Sequence, residues 1–172
     1  MAAEHSLPPE SQAESPKPLR IGYAAGGFDL FHVGHLNILK HAKSQCDYLI
    51  AGVVSDEMLE LTKGITPVVP LFERLEIVRH ISFVDEAVAE VVEDKMEAWR
   101  QLRFDVFFKG DDWRGTPRGT HLEREFAAVG VDVVYFPYTV NTSSTMLRRA
   151  LDTLTRPDTG SRWQAQAIEG TS

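Results

Sequence analysis

Short apolar runs alternate with amphipathic segments along most of this chain, and this alternation limits the fold more than any other feature. Five runs are β-branched or aromatic and bounded by polar or glycine residues, as buried strands are: LRIGYAA (19–25), YLIAGVV (48–54), AVAEVV (87–92), DVFFKG (105–110) and VDVVYF (131–136). Apolar residues recur every three or four positions in HLNILKHAKS, LFERLEIVRHI, DKMEAWRQL and HLEREFAAV, as in amphipathic helices. The pattern predicts an α/β fold of three layers, an open and mostly parallel sheet with helices on both faces.

The two ends of the chain differ in composition from the segment between them. Residues 1–17 are rich in proline, serine and glutamate and predict a disordered leader, residues 18–152 predict one domain, and residues 153–172 predict a C-terminal tail. A chain of 172 residues that is 43% hydrophobic is long enough for one substantial core. No apolar run approaches the roughly 18 residues of a membrane span, and the start lacks the basic-then-apolar order of a signal peptide. The sequence therefore predicts a cytoplasmic protein.

The charge balance argues against two classes of partner. Lysine and arginine number 18 against 25 acidic residues, which gives a formal net charge of -7. Such a balance argues against a sequence-independent grip on nucleic acid or on an anionic membrane, although local basic groups can still bind a small anion. The single cysteine, Cys46, cannot form an internal disulfide and is predicted to be a buried small side chain.

The stretch GGFDLFHVGHLNIL lies between the first predicted strand and the first predicted helix, at the sheet edge where ligands bind. Gly26 and Gly27 let the backbone approach a ligand, and the free N–H groups of a helix that starts near Gly34 favour an anion. His32 and His35 are three residues apart and can both donate to phosphate oxygens. A single histidine here is more often structural, but two beside a glycine pair favour a phosphate site. Neither G-x-G-x-x-G nor G-x-x-x-x-G-K-[ST] is present, so the loop holds phosphate in another way.

Four motifs in this chain resemble those of a known enzyme family. GGFDLFHVGH resembles the (G/T)xFDxxHxGH signature of cytidylyltransferase-like nucleotidyltransferases, and KGITPVVPLFERLEIVRHISFVDEAV is similar to the lysine-glycine, ER and VDE segment of members that activate small alcohol phosphates. FKGDDW is similar to the GDDW of glycerol-3-phosphate cytidylyltransferases, and NTSST stands in the place of RTxGISTT. The motifs lie in family order between Arg20 and Arg149. The resemblance implies a Rossmann-like nucleotidyltransferase fold.

The resemblance also implies an activity. Such enzymes join a phosphate monoester, here most similar to glycerol 3-phosphate or a related polyol phosphate, to CTP, and they release pyrophosphate to give a CDP-alcohol. Mg²⁺ is expected to bind mainly through the nucleotide phosphates, and the small relatives are homodimers, so a homodimer is expected here. The alternative enzyme uses ATP on a sugar phosphate or a flavin phosphate. A non-catalytic nucleotide-binding module is a further reading, but retention of both histidines and the motif lysine argues against it.

The same resemblance implies the residues of the site. The implied catalytic residues are His32, His35 and Lys63. The implied nucleotide contacts are Gly26, Gly27, Phe28, Asp29, His32, His35, Arg74, Gly110, Asp111, Thr142, Ser143, Ser144 and Thr145. The implied acceptor contacts are Lys63, Asp112 and Trp113. Asp111 is expected to accept from the exocyclic amine of cytosine, which would reject uracil but not adenine. The aspartate pair could instead hold a metal or cap a helix, so metal ligands stay unassigned.

Three positions depart from the family pattern. Tyr138 and Asn141 replace an arginine and a glycine of the last motif, and Ser82 replaces the arginine that usually precedes the VDE segment. Two phosphate-facing cations are therefore missing. The candidates to replace them are Arg79, Arg114, Arg118 and Arg148. If none of these does so, the nucleotide or the acceptor differs from that of the nearest relatives.

Overall fold

The computed structural model describes residues 18–137 and 142–155. The predicted leader, most of the predicted tail and the departures at Tyr138 and Asn141 lie outside the described residues, so the domain boundaries stay predictions. The strands are β1 (Ile21–Gly26), β2 (Tyr48–Val54), β3 (Glu86–Glu90), β4 (Val106–Gly110) and β5 (Asp132–Phe136). The helices are α1 (Val33–Lys43), α2 (Asp56–Lys63), α3 (Leu71–Arg79), α4 (Lys95–Leu102), α5 (Pro117–Ala127) and α6 (Ser144–Thr155), and a single 3₁₀ turn, Asp111–Trp113, follows β4.

The strands of the described residues form one sheet in the order β3-β2-β1-β4-β5, and all neighbours pair in parallel. Chain order runs outward from β1 in one direction and resumes at β4 in the other, so the order reverses between β1 and β4. Ligands of open α/β sheets bind at such a reversal, beyond the carboxyl ends of the strands. The sheet confirms the predicted fold class.

Helices cover both faces of the sheet and enclose two apolar clusters. On one face, side chains of α1 and α3, among them Leu39 and Val78, pack against Leu49 and Phe108 of the sheet. The opposite face packs α4 and α5 against residues of β1 and β4. Successive residues of a strand point to opposite faces, so adjacent Phe107 and Phe108 enter different clusters. The same alternation decides on which face each residue at the strand ends lies.

The helix α2 is the main element that the hydrophobic pattern does not predict. Ser55 caps its start by accepting a hydrogen bond from the Met58 N–H at 3.2 Å, and Gly64 ends it in the left-handed conformation with φ 62°. These are the cap residues that helices favour. Gly64 and Pro67 in TKGITP predict an ordered loop around Lys63. This prediction is wrong for Lys63, which is the last residue of helix α2.

None of the helices in the described ranges combines the length and the apolar character that crossing a membrane requires.

Candidate active site

The start of α1, the end of α2 and the start of α6 meet at the carboxyl edge of the sheet. They border a cleft of about 300 Å³. The residues that line it are His32, Gly34, His35, Ile38, Lys63, Thr142, Ser143, Ser144 and Thr145. The structure thus gathers the predicted histidines, Lys63 and the predicted hydroxyl side chains around one space, although the histidines and the hydroxyl residues are more than 100 positions apart in sequence. We call this space the histidine cleft.

His32 is both the N-cap of α1 and a wall of the histidine cleft. Its Nδ1 accepts a hydrogen bond from the Gly34 N–H at 3.0 Å, so a neutral ring carries its proton on Nε2, which lies 3.4 Å from the Ser144 hydroxyl oxygen. Burial lowers the pKa of His32, which favours this neutral form. A Cβ on Gly34 would lie 2.8 Å from the His32 ring, so glycine is required for this cap. The capping bond fixes the direction in which the ring donates.

His35 lies one turn further along α1 and stacks on His32, with ring centroids 4.0 Å apart. Burial, with the adjacent His32 and Lys63, lowers the pKa of His35 to about 3, against the opposing effect of Asp29. Its Nδ1 is buried and has no hydrogen-bond partner among the described residues. At neutral pH both rings are therefore uncharged donors.

The start of α6 presents hydroxyl groups to the same cleft. Ser143 caps the helix by accepting from the Met146 N–H at 3.2 Å, which agrees with the N-capping pattern seen in the sequence. Ser144 donates its hydroxyl proton to the backbone oxygen of Asp29 at 2.7 Å. Two helix N-termini, those of α1 and α6, therefore face one space, an arrangement that favours phosphate.

Asp29 joins three segments rather than facing the open cleft. Its carboxylate accepts from the N–H groups of Val68 and Val69 and forms an ion pair with Arg148 of α6. The residue is only 4% exposed. Although burial opposes them, these bonds hold the pKa of Asp29 below its usual value. Asp29 therefore supports the cleft from within the protein, while its nucleotide contact stays a prediction. Arg148, a candidate replacement arginine, pairs with Asp29.

Arg74 likewise supports the site from inside the protein. Its side chain is fully buried, and its guanidinium donates to the backbone oxygens of Val69, Gly27 and Val54 and to the Asp56 carboxylate. All these partners belong to the protein, and the nucleotide contact of Arg74 stays a prediction. Arg74 is a positioning residue that holds the glycine pair after β1.

The loop after β1 keeps two non-glycine residues in the left-handed conformation, Phe28 at φ 51° and Leu30 at φ 50°. The Phe28 side chain is 4% exposed and packs in the core, so it shapes the loop from below. L-residues adopt this conformation at a cost of about 1–2 kcal/mol each. The surrounding packing therefore holds the loop in a shape that the free chain would avoid.

A second pocket lies on the other side of Lys63, toward α4 and α5. Apolar residues such as Met58 and Leu59 form much of its wall, together with Trp113 and the glycine pair at the end of β1, and six charged side chains also line it. Its charged residues are Lys63, Glu90, Glu93, Lys95, Lys109 and Arg118. Beyond Trp113 it continues into an outer cleft of about 430 Å³. We call this space the lysine pocket; Lys63 lines both it and the histidine cleft.

Lys109 is the site residue that the sequence pattern does not single out. It is the penultimate residue of β4, and its ammonium lies over the Trp113 ring, 4.4 Å from the centroid. The sequence does contain a signal for Lys109. Lys109 is two residues after the buried Phe107, so both side chains point to the same face of the sheet. At the carboxyl end of a strand, a polar side chain on that face lies at the edge where ligands bind.

The aspartates after β4 lie on the 3₁₀ turn and are both exposed. Asp111 was expected to meet the base as a partly buried carboxylate, whereas in this structure it is open to solvent. Among the candidate replacement arginines, Arg79 pairs with Glu76 on the surface and Arg114 lies over the Tyr135 ring. Arg118, by contrast, lies 4.7 Å from the centroid of Trp113 and lines the lysine pocket.

The sequence model of the family described as Cytidylyltransferase-like matches residues 23–150, the whole span that holds these loops. The chain belongs to the cytidylyltransferase-like family. The match confirms the resemblance drawn from the motifs, and it includes every residue that lines the histidine cleft.

Two curated proteins are similar to part of this chain. An ethanolamine-phosphate cytidylyltransferase of Arabidopsis thaliana is 39% identical over 109 residues, which cover 60% of this chain and 25% of that protein. The chain therefore spans about a quarter of the length of that relative. An FAD synthase of Pyrococcus abyssi is 36% identical over 121 residues, covering 69% of this chain and 82% of that protein.

Solved structures agree on the fold. The lipopolysaccharide core biosynthesis protein from Thermoplasma volcanium superposes with a TM-score of 0.62 at 23% identity, covering 73% of this chain and all of that one. At this identity the likeness supports the family fold alone.

Proposed function

We propose that this member of the cytidylyltransferase-like family joins a small phosphate monoester to CTP and releases pyrophosphate, giving a CDP-alcohol. The observation that carries the proposal is the histidine cleft, where His32, His35, Lys63 and two helix N-termini face one space. We further propose that the acceptor is glycerol 3-phosphate or a related polyol phosphate. The GDDW motif of the chain supports this acceptor. The similarity to ethanolamine-phosphate cytidylyltransferases indicates ethanolamine phosphate as the related acceptor to compare with it.

The chemistry requires placement rather than a general base. A phosphate oxygen of the acceptor, already an anion near neutral pH, forms a bond to the α-phosphorus of CTP while the bond from that phosphorus to the pyrophosphate oxygen breaks. Negative charge grows on the equatorial and leaving oxygens during this step. The neutral rings of His32 and His35 donate N–H groups to these oxygens, and the Lys63 ammonium lies between the nucleotide side and the acceptor side. Fixed donors of this kind stabilise the transition state without reorganisation.

We propose that Mg²⁺ arrives on the nucleotide phosphates. The described residues contain no group of three or more histidine, cysteine, aspartate or glutamate side chains that could hold a metal ion by themselves. Mg²⁺ commonly uses substrate phosphates and water with few protein ligands, which fits this donor set. The ion would neutralise charge on the β- and γ-phosphates.

A second candidate function is transfer from ATP to a flavin or sugar phosphate. The similarity to the FAD synthase of Pyrococcus abyssi, which extends over 82% of that protein, supports keeping it. An assay of pyrophosphate release distinguishes the two candidate functions. The full chain is incubated with Mg²⁺ and a panel of phosphate monoesters, and with CTP, UTP or ATP in separate reactions. We expect release with CTP and a polyol phosphate. Release with ATP and a flavin phosphate alone would replace the first candidate by the second.

We also propose that the protein forms a homodimer. The segment 71–83 and α1, the contact surfaces expected from the sequence, carry exposed apolar side chains, with Phe72 70%, Val33 50% and Ile77 45% exposed. Closed two-fold dimers are the commonest oligomers. Light scattering should give twice the monomer mass of 19.3 kDa at micromolar concentration, and a monomer throughout that range would exclude the dimer. A cytoplasmic location likewise stays a prediction.

A further inference from the structure

The lysine pocket holds more positive charge than its own carboxylates balance. Four cationic side chains line it, against the two carboxylates of Glu90 and Glu93. The Glu90 carboxylate is buried, where it accepts from the Tyr23 hydroxyl at 2.5 Å and pairs with Lys95. The Glu93 carboxylate lies 3.9 Å from the guanidinium of Arg118. Both carboxylates therefore already pair with cations of the protein, Lys95 and Arg118. The ammonium groups of Lys63 and Lys109 are the two that these carboxylates do not pair.

Lys109 is one of the two, and it sits deeper in the protein than the exposed Lys63. Among the described residues no carboxylate lies within ion-pairing distance of its ammonium. Burial, with Lys63 and Lys95, lowers the pKa of Lys109 to about 8, while Glu90 and Asp112 act in the opposite direction. A largely desolvated cation without a counterion is unfavourable. An anion or an electron-rich oxygen in the pocket would satisfy it.

Trp113 offers little to a cationic ligand. Its ring already carries the ammonium of Lys109 at 4.4 Å and the guanidinium of Arg118 at 4.7 Å from the centroid. Recognition of amines by aromatic rings requires a face on which the ligand cation can sit. The carbonyl oxygen of Trp113 is fixed by the Thr116 hydroxyl at 2.8 Å, and Gly119 packs directly beneath it, so the turn that carries the ring is firmly placed.

The position of Lys63 orients the acceptor. Because Lys63 lines both the histidine cleft and the lysine pocket, an acceptor phosphate beside it faces the nucleotide, and the rest of the acceptor extends toward Lys109. We propose that Lys109 is a specificity-determining residue, and that the lysine pocket admits phosphate monoesters with a hydroxyl or anionic tail and rejects those with an ammonium tail. This inference rests on the proposed function and narrows its substrate class.

Steady-state kinetics with three acceptors of similar size test the inference: glycerol 3-phosphate, 3-phosphoglycerate and phosphoethanolamine. The wild type is expected to prefer glycerol 3-phosphate over phosphoethanolamine by on the order of a hundredfold in kcat/KM, because a like charge at the contact is strongly unfavourable. Lys109→Met keeps the length of the side chain and removes its charge, so it should narrow that preference to about tenfold or less. Lys40→Met, on the exposed end of α1, is the matched control and should leave the preference unchanged.

A preference for phosphoethanolamine in the wild type, or an unchanged preference in Lys109→Met, would overturn the inference. A failure of the proposed acceptor selectivity can be distinguished from a failure of the proposed transfer. Calorimetry, which does not require turnover, measures the binding of the same three acceptors in the presence of an α,β-methylene analogue of CTP. Tighter binding of glycerol 3-phosphate and 3-phosphoglycerate than of phosphoethanolamine, without pyrophosphate release from CTP, would overturn the proposed transfer. It would support the proposed selectivity of the lysine pocket. Equal binding of all three acceptors, or no binding of any, would overturn the pocket.

Discussion

The histidine cleft and the lysine pocket share one sheet edge, but the protein treats polar groups in them in opposite ways. The His32 ring and the Ser144 hydroxyl of the histidine cleft, and the Asp29 carboxylate that supports it, all bond to backbone groups. His35 differs, because its buried Nδ1 has no partner among the described residues. In the lysine pocket, Lys109 keeps a charge that no described carboxylate pairs. The difference separates two tasks. Phosphoryl transfer needs donors at fixed positions, whereas the choice of acceptor needs a charge that is still available to the ligand.

The largest expected effect concerns the buried support of the histidine cleft. Arg74→Met leaves three backbone oxygens and the 39% exposed Asp56 side chain without their donor, and each buried acceptor left unsatisfied costs about 1–3 kcal/mol of unfolding free energy. Urea denaturation measures it. The control is Arg79→Met, whose arginine pairs with Glu76 at the surface and should change stability by about 1 kcal/mol or less. A loss no larger than that of the control would show that the cleft does not depend on Arg74.

Removal of either histidine should abolish most transfer and leave the fold intact. His35→Ala and His32→Ala each remove one preorganised donor, which typically lowers turnover by about a hundred- to a thousandfold. Steady-state pyrophosphate release and circular dichroism measure the two quantities. His80→Ala is the control, because that ring is 70% exposed at the end of α3. If either variant kept more than half of the activity, the histidine cleft would not be the site of transfer.

Base choice tests the turn after β4, which carries Asp111 and the Trp113 of the lysine pocket. If Asp111 accepts from the cytosine amine, UTP should be used about ten- to a hundredfold less well than CTP, because an unmatched polar contact is unfavourable. Asp111→Asn can turn an N–H toward the uracil oxygen and should weaken the preference. Since Asp111 is exposed in this structure, the base itself must cover it. Equal kcat/KM for CTP and UTP in the wild type would remove Asp111 from the base site.

The smallest expected effect is a dependence of stability on pH. The pKa of His35 is lowered to about 3 in the folded protein from its ordinary 6.5, so the unfolded chain binds more protons between these values. The contribution of His35 to the free energy of unfolding is therefore fully present above about pH 6.5. The free energy of unfolding falls as the pH drops, by about 1 kcal/mol between pH 7 and pH 5.5. Urea denaturation at both pH values measures it. His35→Gln does not titrate and should lose less over the same interval; an equal loss would assign the effect to other groups.

Most of the sheet could be predicted from the sequence, because strands buried on both faces are continuous apolar runs. YLIAGVV matches β2 from end to end. Helix α2 was missed, although Ser55 and Gly64 are cap residues, because SDEMLELTK has few apolar positions and Lys63 was assigned to the following loop. The predicted helix HLEREFAAV begins earlier, at Pro117, after the Thr116 cap.

The site could be predicted only in part. The rule that parallel strands end at one edge brings the histidines and residues 142–145 together as expected. Motif similarity does not show whether a side chain points outward or inward, and Arg74 and Asp29 point inward to backbone groups that no sequence pattern reveals. The balance of charge around Lys109 depends on the ion pair between Glu90 and Lys95, which forms only in the folded protein.

The two left-handed residues after β1, Phe28 and Leu30, bear on how fast a nucleotide can associate. Because Phe28 is buried in the core, its backbone is in place before any ligand arrives, and the entropy of ordering it is lost during folding instead of at the encounter. This loop should therefore add no slow isomerisation to the association step, whose rate is then governed by diffusion and by the positive groups along the sheet edge.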